Sequence, residues 1–149
     1  MTETPYIVGV VLALLVAAFA RSVGFDRDRA FYPVVMIVIA AYYVLFAVMG
    51  GSRRALLVET AIMTVFVVLA VAGFRKSLWL VVAALAAHGV LDLLHPRLVA
   101  NPGVPAWWPA WCMAYDVTAA AVLAFLVARA TKPAGFATAP VPADASRRT

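Results

Sequence analysis

The sequence predicts an all-α integral membrane protein: a bundle of five transmembrane helices, N-terminus outside, C-terminus cytoplasmic. Three observations predict it. Of 149 residues, 66% are hydrophobic and 13% are charged, and the mean hydropathy is +0.98. A soluble domain carries about 25% charged residues, so this chain cannot cover itself with a polar surface. The apolar residues run in long continuous segments, where a membrane barrel would alternate, and a bilayer admits only helices and closed barrels. The twelve Lys and Arg fall between those segments and in the tail, where topology-setting charge belongs.

The five apolar segments are residues 5–21, 31–50, 54–73, 77–95 and 106–129. Most are near the ~20 residues that a hydrocarbon core of about 30 Å requires, and the first is marginal. The first, within MTETPYIVGVVLALLVAAFARS, has Ala18-Phe19-Ala20 at a position that suits signal cleavage. Its leading residues hold Glu3 and no basic side chain, so it reads as a retained helix. Arg21 extends it by reaching for the interface. Gly24 and the Asp26-Arg27-Asp28-Arg29 run make a wet turn on the side opposite the polar residues discussed below. Pro33 suits the first turn of the second segment.

Gly50-Gly51-Ser52 ends that segment, and Ser52 can cap the third. Gly73, Arg75 and Lys76 separate the third from the fourth. The loop HPRLVANPGVPAWWP follows, rich in proline, and the fifth segment begins at its end. Residues 1–132 thus form one transmembrane domain. Residues 133–149 are an Ala- and Pro-rich tail without apolar periodicity, expected to be disordered.

Orientation follows from the basic residues. One side receives Arg21, Arg27, Arg29, Arg75, Lys76, Arg129, Lys132, Arg147 and Arg148, and the other receives Arg53, Arg54 and Arg97. The richer side is expected to be cytoplasmic. The chain then reads as a multi-pass protein of the cell membrane. The net charge of +5 is spread over loops with no basic face, which argues against nucleic acid. The single cysteine excludes an internal disulfide framework.

Residues 86–97 read AAHGVLDLLHPR and contain both histidines of the chain. At about 100° per residue, His88, Asp92 and His95 share one helix face. Glu59 on the third segment and Asp116 on the fifth fall in the same outer half of the membrane. A charge at mid-bilayer costs ~2.5–3.5 kcal/mol on insertion scales, so such residues face the bundle interior and find partners. Imidazoles and carboxylates gathered there suit a divalent transition metal, Zn, Fe, Mn or Cu. The expected ligands are His88, Asp92 and His95. Glu59 and Asp116 are the neighbouring carboxylates, one completing the ligand set and one acting as general base on a metal-bound water. The plainer alternative is structural pairing, with the histidines bonded to loop carbonyls and Glu59 to Arg97.

Trp108, Cys112, Tyr115 and Asp116 share a face of the fifth segment. Trp108 and Tyr115 are expected to line a pocket for an apolar substrate, its mouth shaped by the Pro102–Pro109 stretch. Cys112 lies beside them as a small filler or a soft ligand. Trp107 and Trp111 suit an interfacial aromatic belt. Of Tyr42 and Tyr43, one should point inward, chiefly for packing. HxxxDxxH resembles the His/Asp helices of several integral-membrane metal hydrolases and hydroxylases, and also the HxxxE arrangement of membrane sterol isomerases. The match covers a few residues of one helix and the other motifs of those families are missing, so it assigns no family.

The function expected is a small membrane enzyme whose metal activates water or oxygen for reaction on a lipid-like substrate, with membrane lipids as partners. The alternatives are a proton or ion relay, a metal-free acid–base pocket, or an accessory subunit of a membrane complex. Small residues in the helices permit close packing within the chain or in a homo-oligomer.

Overall fold

The computed structural model describes residues 3–130. Among these the chain is all-helical: α1 (Thr4–Val23), a short 3-10 turn (Phe25–Arg27), α2 (Phe31–Met49), α3 (Arg53–Arg75), α4 (Leu78–Leu98) and α5 (Trp108–Ala130). All five α-helices are long and apolar enough to cross a membrane. The tail expected to be disordered lies outside the described residues.

The helices begin and end where local chemistry requires. Gly24 closes α1 in the left-handed region (φ 85°), donating its N–H to Ala20 O at 2.9 Å, a conformation that costs glycine nothing. Ser52 Oγ accepts from Ala55 N at 3.2 Å and caps α3, and Ser77 Oγ accepts from Trp79 N at 3.3 Å at the start of α4. Helix α4 runs three residues beyond the expected end at His95. Pro96 removes one N–H from its last turn, yet Val99 N still reaches His95 O at 3.0 Å and holds that turn closed.

α1 packs on α5, α5 on α4, α4 on α3, and α3 on α2, while α2 also reaches α4. The fourth helix is therefore central, and its inward face is where polar groups are most deeply enclosed. The outward faces are apolar: Ile7, Leu15, Leu57, Val68 and Leu93 are all exposed. The hydroxyls of Thr60 and Thr64 on this outer surface bond back to Leu56 O and Thr60 O, each at 2.7 Å. A polar group on an apolar surface is satisfied in this way within its own helix.

Glycine sets two close approaches. A Cβ at Gly50 would lie 2.6 Å from Gly103 N, so the loop before α5 rests directly on the end of α2. At Gly89 on α4 a Cβ would stand 3.1 Å from Val117 Cγ2 and 3.5 Å from Asp116 Cβ. The small residue beside His88 lets α5 bring Asp116 against α4.

Candidate functional site

Five acidic or imidazole side chains are buried in the bundle: Glu59, His88, Asp92, His95 and Asp116, each no more than 2% exposed. They fall into two tiers. In the first, His88 Nδ1 lies 2.6 Å from Asp116 Oδ2 and 3.5 Å from Asp92 Oδ2. The thiol of Cys112 stands one helical turn before Asp116, its Sγ 4.0 Å from Asp116 Oδ2. The ring of Phe66 from α3 meets His88 edge-on, with centroids 4.8 Å apart. One ligand atom from each of His88, Asp92, Cys112 and Asp116 lies within 4.8 Å of all the others.

In the second tier, His95 Nε2 and Glu59 Oε1 share a hydrogen bond of 2.7 Å. Asn101 Nδ2 donates to the same carboxylate oxygen at 3.0 Å and lies 3.1 Å from Tyr43 O. Tyr43 joins the tiers. Its ring stacks on His95 at 4.0 Å, and its hydroxyl donates to Asp92 Oδ1 at 2.6 Å.

The three residues expected as ligands on α4 are thus divided. His88 and Asp92 belong to the group of four, while His95 pairs with Glu59 on α3. Asp116 joins the group, and so does Cys112. Glu59 bonds His95 and Asn101, and Arg97 is exposed. Trp108, Cys112 and Tyr115 are all buried, as their shared face with Asp116 implied. Trp108 packs against Tyr42, Phe46 and Trp111, with centroids 4.7–4.9 Å apart. Tyr115 stacks on Trp111 at 5.8 Å. Of the tyrosine pair, Tyr43 is the inward one.

Sequence reasoning missed two residues. Asn101 sits in the proline-rich loop, where its only signal is an amide among prolines. Phe66 is one apolar residue among many, and only the packing of α3 on α4 sets it against His88.

Electrostatically the first tier is short of positive charge. It holds two carboxylates and a single imidazole. Among the described residues no Lys or Arg forms an ion pair with either carboxylate. Asp92 Oδ2, Asp116 Oδ1 and Glu59 Oε2 are buried without a hydrogen-bond partner. A buried, unpaired carboxylate oxygen is costly, and a proton or a cation relieves it. The set of imidazole nitrogen, thiol sulfur and carboxylate oxygens matches what borderline divalent metals accept. In a tetrahedral site the ligand atoms stand about 3.3–3.8 Å apart, so these four side chains, whose ligand atoms lie within 4.8 Å of one another, would draw in by about 1 Å to hold one ion.

Two openings approach this centre. A cleft of about 700 Å³ lies between the start of α3, the end of α4 and the loop before α5, and His95, Asn101 and Ser52 are among its lining. A shallower apolar groove of about 370 Å³ runs between α3 and α4, lined by Phe66, Val90 and Leu94 among others. Phe66 thus touches both this outer groove and the ring of His88.

Fold and site together define a class: a five-helix apolar bundle with a buried centre of imidazole, carboxylates, phenol and thiol. Comparison of the chain with protein-family models, with curated proteins and with solved structures finds no match.

Proposed function

We propose that this chain is a small integral membrane enzyme in which His88, Asp92, Cys112 and Asp116 hold a divalent transition metal for reaction on a lipid-like substrate. The observation that carries the proposal is a cluster in which one ligand atom from each of four buried side chains lies within 4.8 Å of the others, while Asp92 Oδ2 and Asp116 Oδ1 accept no hydrogen bond. When bound, the metal supplies Lewis acidity and lowers the pKa of a coordinated water.

The protein residues have separable roles in this reading. Tyr43 fixes Asp92 through its hydroxyl and His95 through its ring. The His95–Glu59 pair, held by Asn101, is the general base: Glu59 orients the imidazole, which accepts a proton from the reacting group. The cleft beside His95 admits a polar group from the interface, and the groove over Phe66 gives an acyl chain a sideways path. The charge distribution of the loops supports an outward N-terminus and a cytoplasmic C-terminus, with the centre nearer the outer face.

Cobalt(II) loading of the detergent-purified protein tests the proposal. The expected result is one equivalent per chain with the ligand-field spectrum of a five-coordinate ion, four protein ligands and one water, abolished in Asp92→Ala and Asp116→Ala. Absence of that spectrum in the wild type would overturn the metal reading.

A proton relay is the second reading, favoured by one observation. Asp116, His88, Asp92 and Tyr43 form a chain of close polar contacts, and Tyr43 stacks on the His95–Glu59 pair. Buried Asp, Glu and His in series also mark ion pathways. Proton uptake into proteoliposomes, lost in His88→Ala, would favour this reading over the enzyme.

A further inference from the structure

We propose that the trough between α1 and α5, on the far side of α5 from the buried centre, seats one anionic phospholipid. The trough encloses about 990 Å³. Leu14, Ala17 and Ala18 of α1 line it, with Val122, Phe125 and Leu126 of α5. Its wall is therefore hydrocarbon along most of its length.

One end carries three guanidinium groups, those of Arg21, Arg27 and Arg129. A single carboxylate, Asp26, shares that end, and its Oδ2 is already taken by Arg21 at 3.2 Å. Three arginines against one aspartate leave a formal excess of two positive charges. Among the described residues, neither Arg27 nor Arg129 meets a carboxylate at ion-pair distance. Arg129 lies over the Phe125 ring, 4.1 Å from its centroid, which holds it at the trough.

Tyr32 supplies an independent observation. It is 6% exposed and lines the trough, and its hydroxyl has no hydrogen-bond partner among the described residues. A buried hydroxyl left without a partner is unfavourable. A phosphate or ester oxygen of a lipid would accept its proton. Asp26 Oδ1 is likewise buried and unpartnered, and a head-group hydroxyl would donate to it.

The pattern is that of an amphiphile: a hydrocarbon channel, then one neutral donor, then guanidinium forks whose geometry suits phosphate oxygens. A free phosphate would fill only the charged end. The length of apolar wall selects a lipid, and this site stands independently of the metal reading.

Native mass spectrometry of the full chain in detergent, titrated with phosphatidylglycerol, tests the proposal. One phosphatidylglycerol should be retained at least tenfold more strongly than phosphatidylcholine. At about 1 kcal/mol per arginine, the Arg27→Gln/Arg129→Gln double variant should bind it about 30-fold more weakly. Ala18→Trp, which fills the apolar channel and leaves the charges intact, should also weaken retention. Equal retention of the two lipids would overturn the proposal, as would undiminished binding in both variants. Displacement of the lipid by an equal concentration of inorganic phosphate would overturn it too, because the acyl chains would then add nothing.

Discussion

Tyr43 and Asp92 are joined across the bundle by a 2.6 Å hydrogen bond, phenol to carboxylate, with both side chains buried. The bond ties α2 to α4 at the level of His88. It also leaves Asp92 Oδ2 facing the imidazole at 3.5 Å. One oxygen of Asp92 is thus spent on orientation and the other is available to a ligand.

Tyr43→Phe removes that bond and keeps the ring on His95. The buried Asp92 Oδ1 then has no donor, which costs about 1–3 kcal/mol. The variant should unfold at lower temperature in detergent yet still bind one metal ion. A metal-free but equally stable variant would contradict this division of roles.

His95→Ala and Glu59→Gln should each retain stoichiometric metal and lose turnover on a lipid-like substrate. His95 bonds Glu59 and lies outside the group of four, so it is not needed to hold the ion. Metal content and activity measured on the same preparations check this. Joint loss of both in His95→Ala would restore the ligand set read from the α4 spacing alone.

Gly89 controls the α4–α5 distance at the site. A Cβ there stands 3.1 Å from Val117 Cγ2, so Gly89→Ala asks for a small adjustment. Gly89→Leu cannot be accommodated without separating the helices, at about 1–3 kcal/mol for overpacking. Metal affinity should fall sharply in Gly89→Leu and little in Gly89→Ala, as read by competition with a chelating dye. Equal affinity in both would show that the α4–α5 spacing does not set the site.

Reporter fusions test the topology. A cytoplasm-active reporter at the C-terminus should be active, and one inserted in the loop between α4 and α5 should be silent. The reverse pattern would invert the orientation and put the buried centre in the inner half of the membrane.

Much of the fold was legible because hydrocarbon runs and their breaks are local. Gly24 and Ser52 sit at the turn and cap observed. The end of α4 was less legible: Pro96 is a stop signal in sequence, but in the last turn it forfeits one bond only. At the site, the shared face of His88 and Asp92 follows from their spacing, and so does the inward face of Cys112 and Asp116. The separation of His95 does not. Seven residues along a helix is about 10 Å, and which neighbour it meets at that height depends on α3 and on Asn101 in the loop that follows α4. Tyr42 and Tyr43 are adjacent, so only the packing of α2 on α4 selects the inward one.

The central claim is that His88, with Asp92, Cys112 and Asp116, holds an ion while His95 does not. The most direct test is elemental analysis of purified protein after reconstitution with zinc, iron or manganese, comparing wild type, His88→Ala and His95→Ala. The account predicts one equivalent of metal in wild type and in His95→Ala, and none in His88→Ala. Metal-free wild type, or metal retained in His88→Ala, would contradict it.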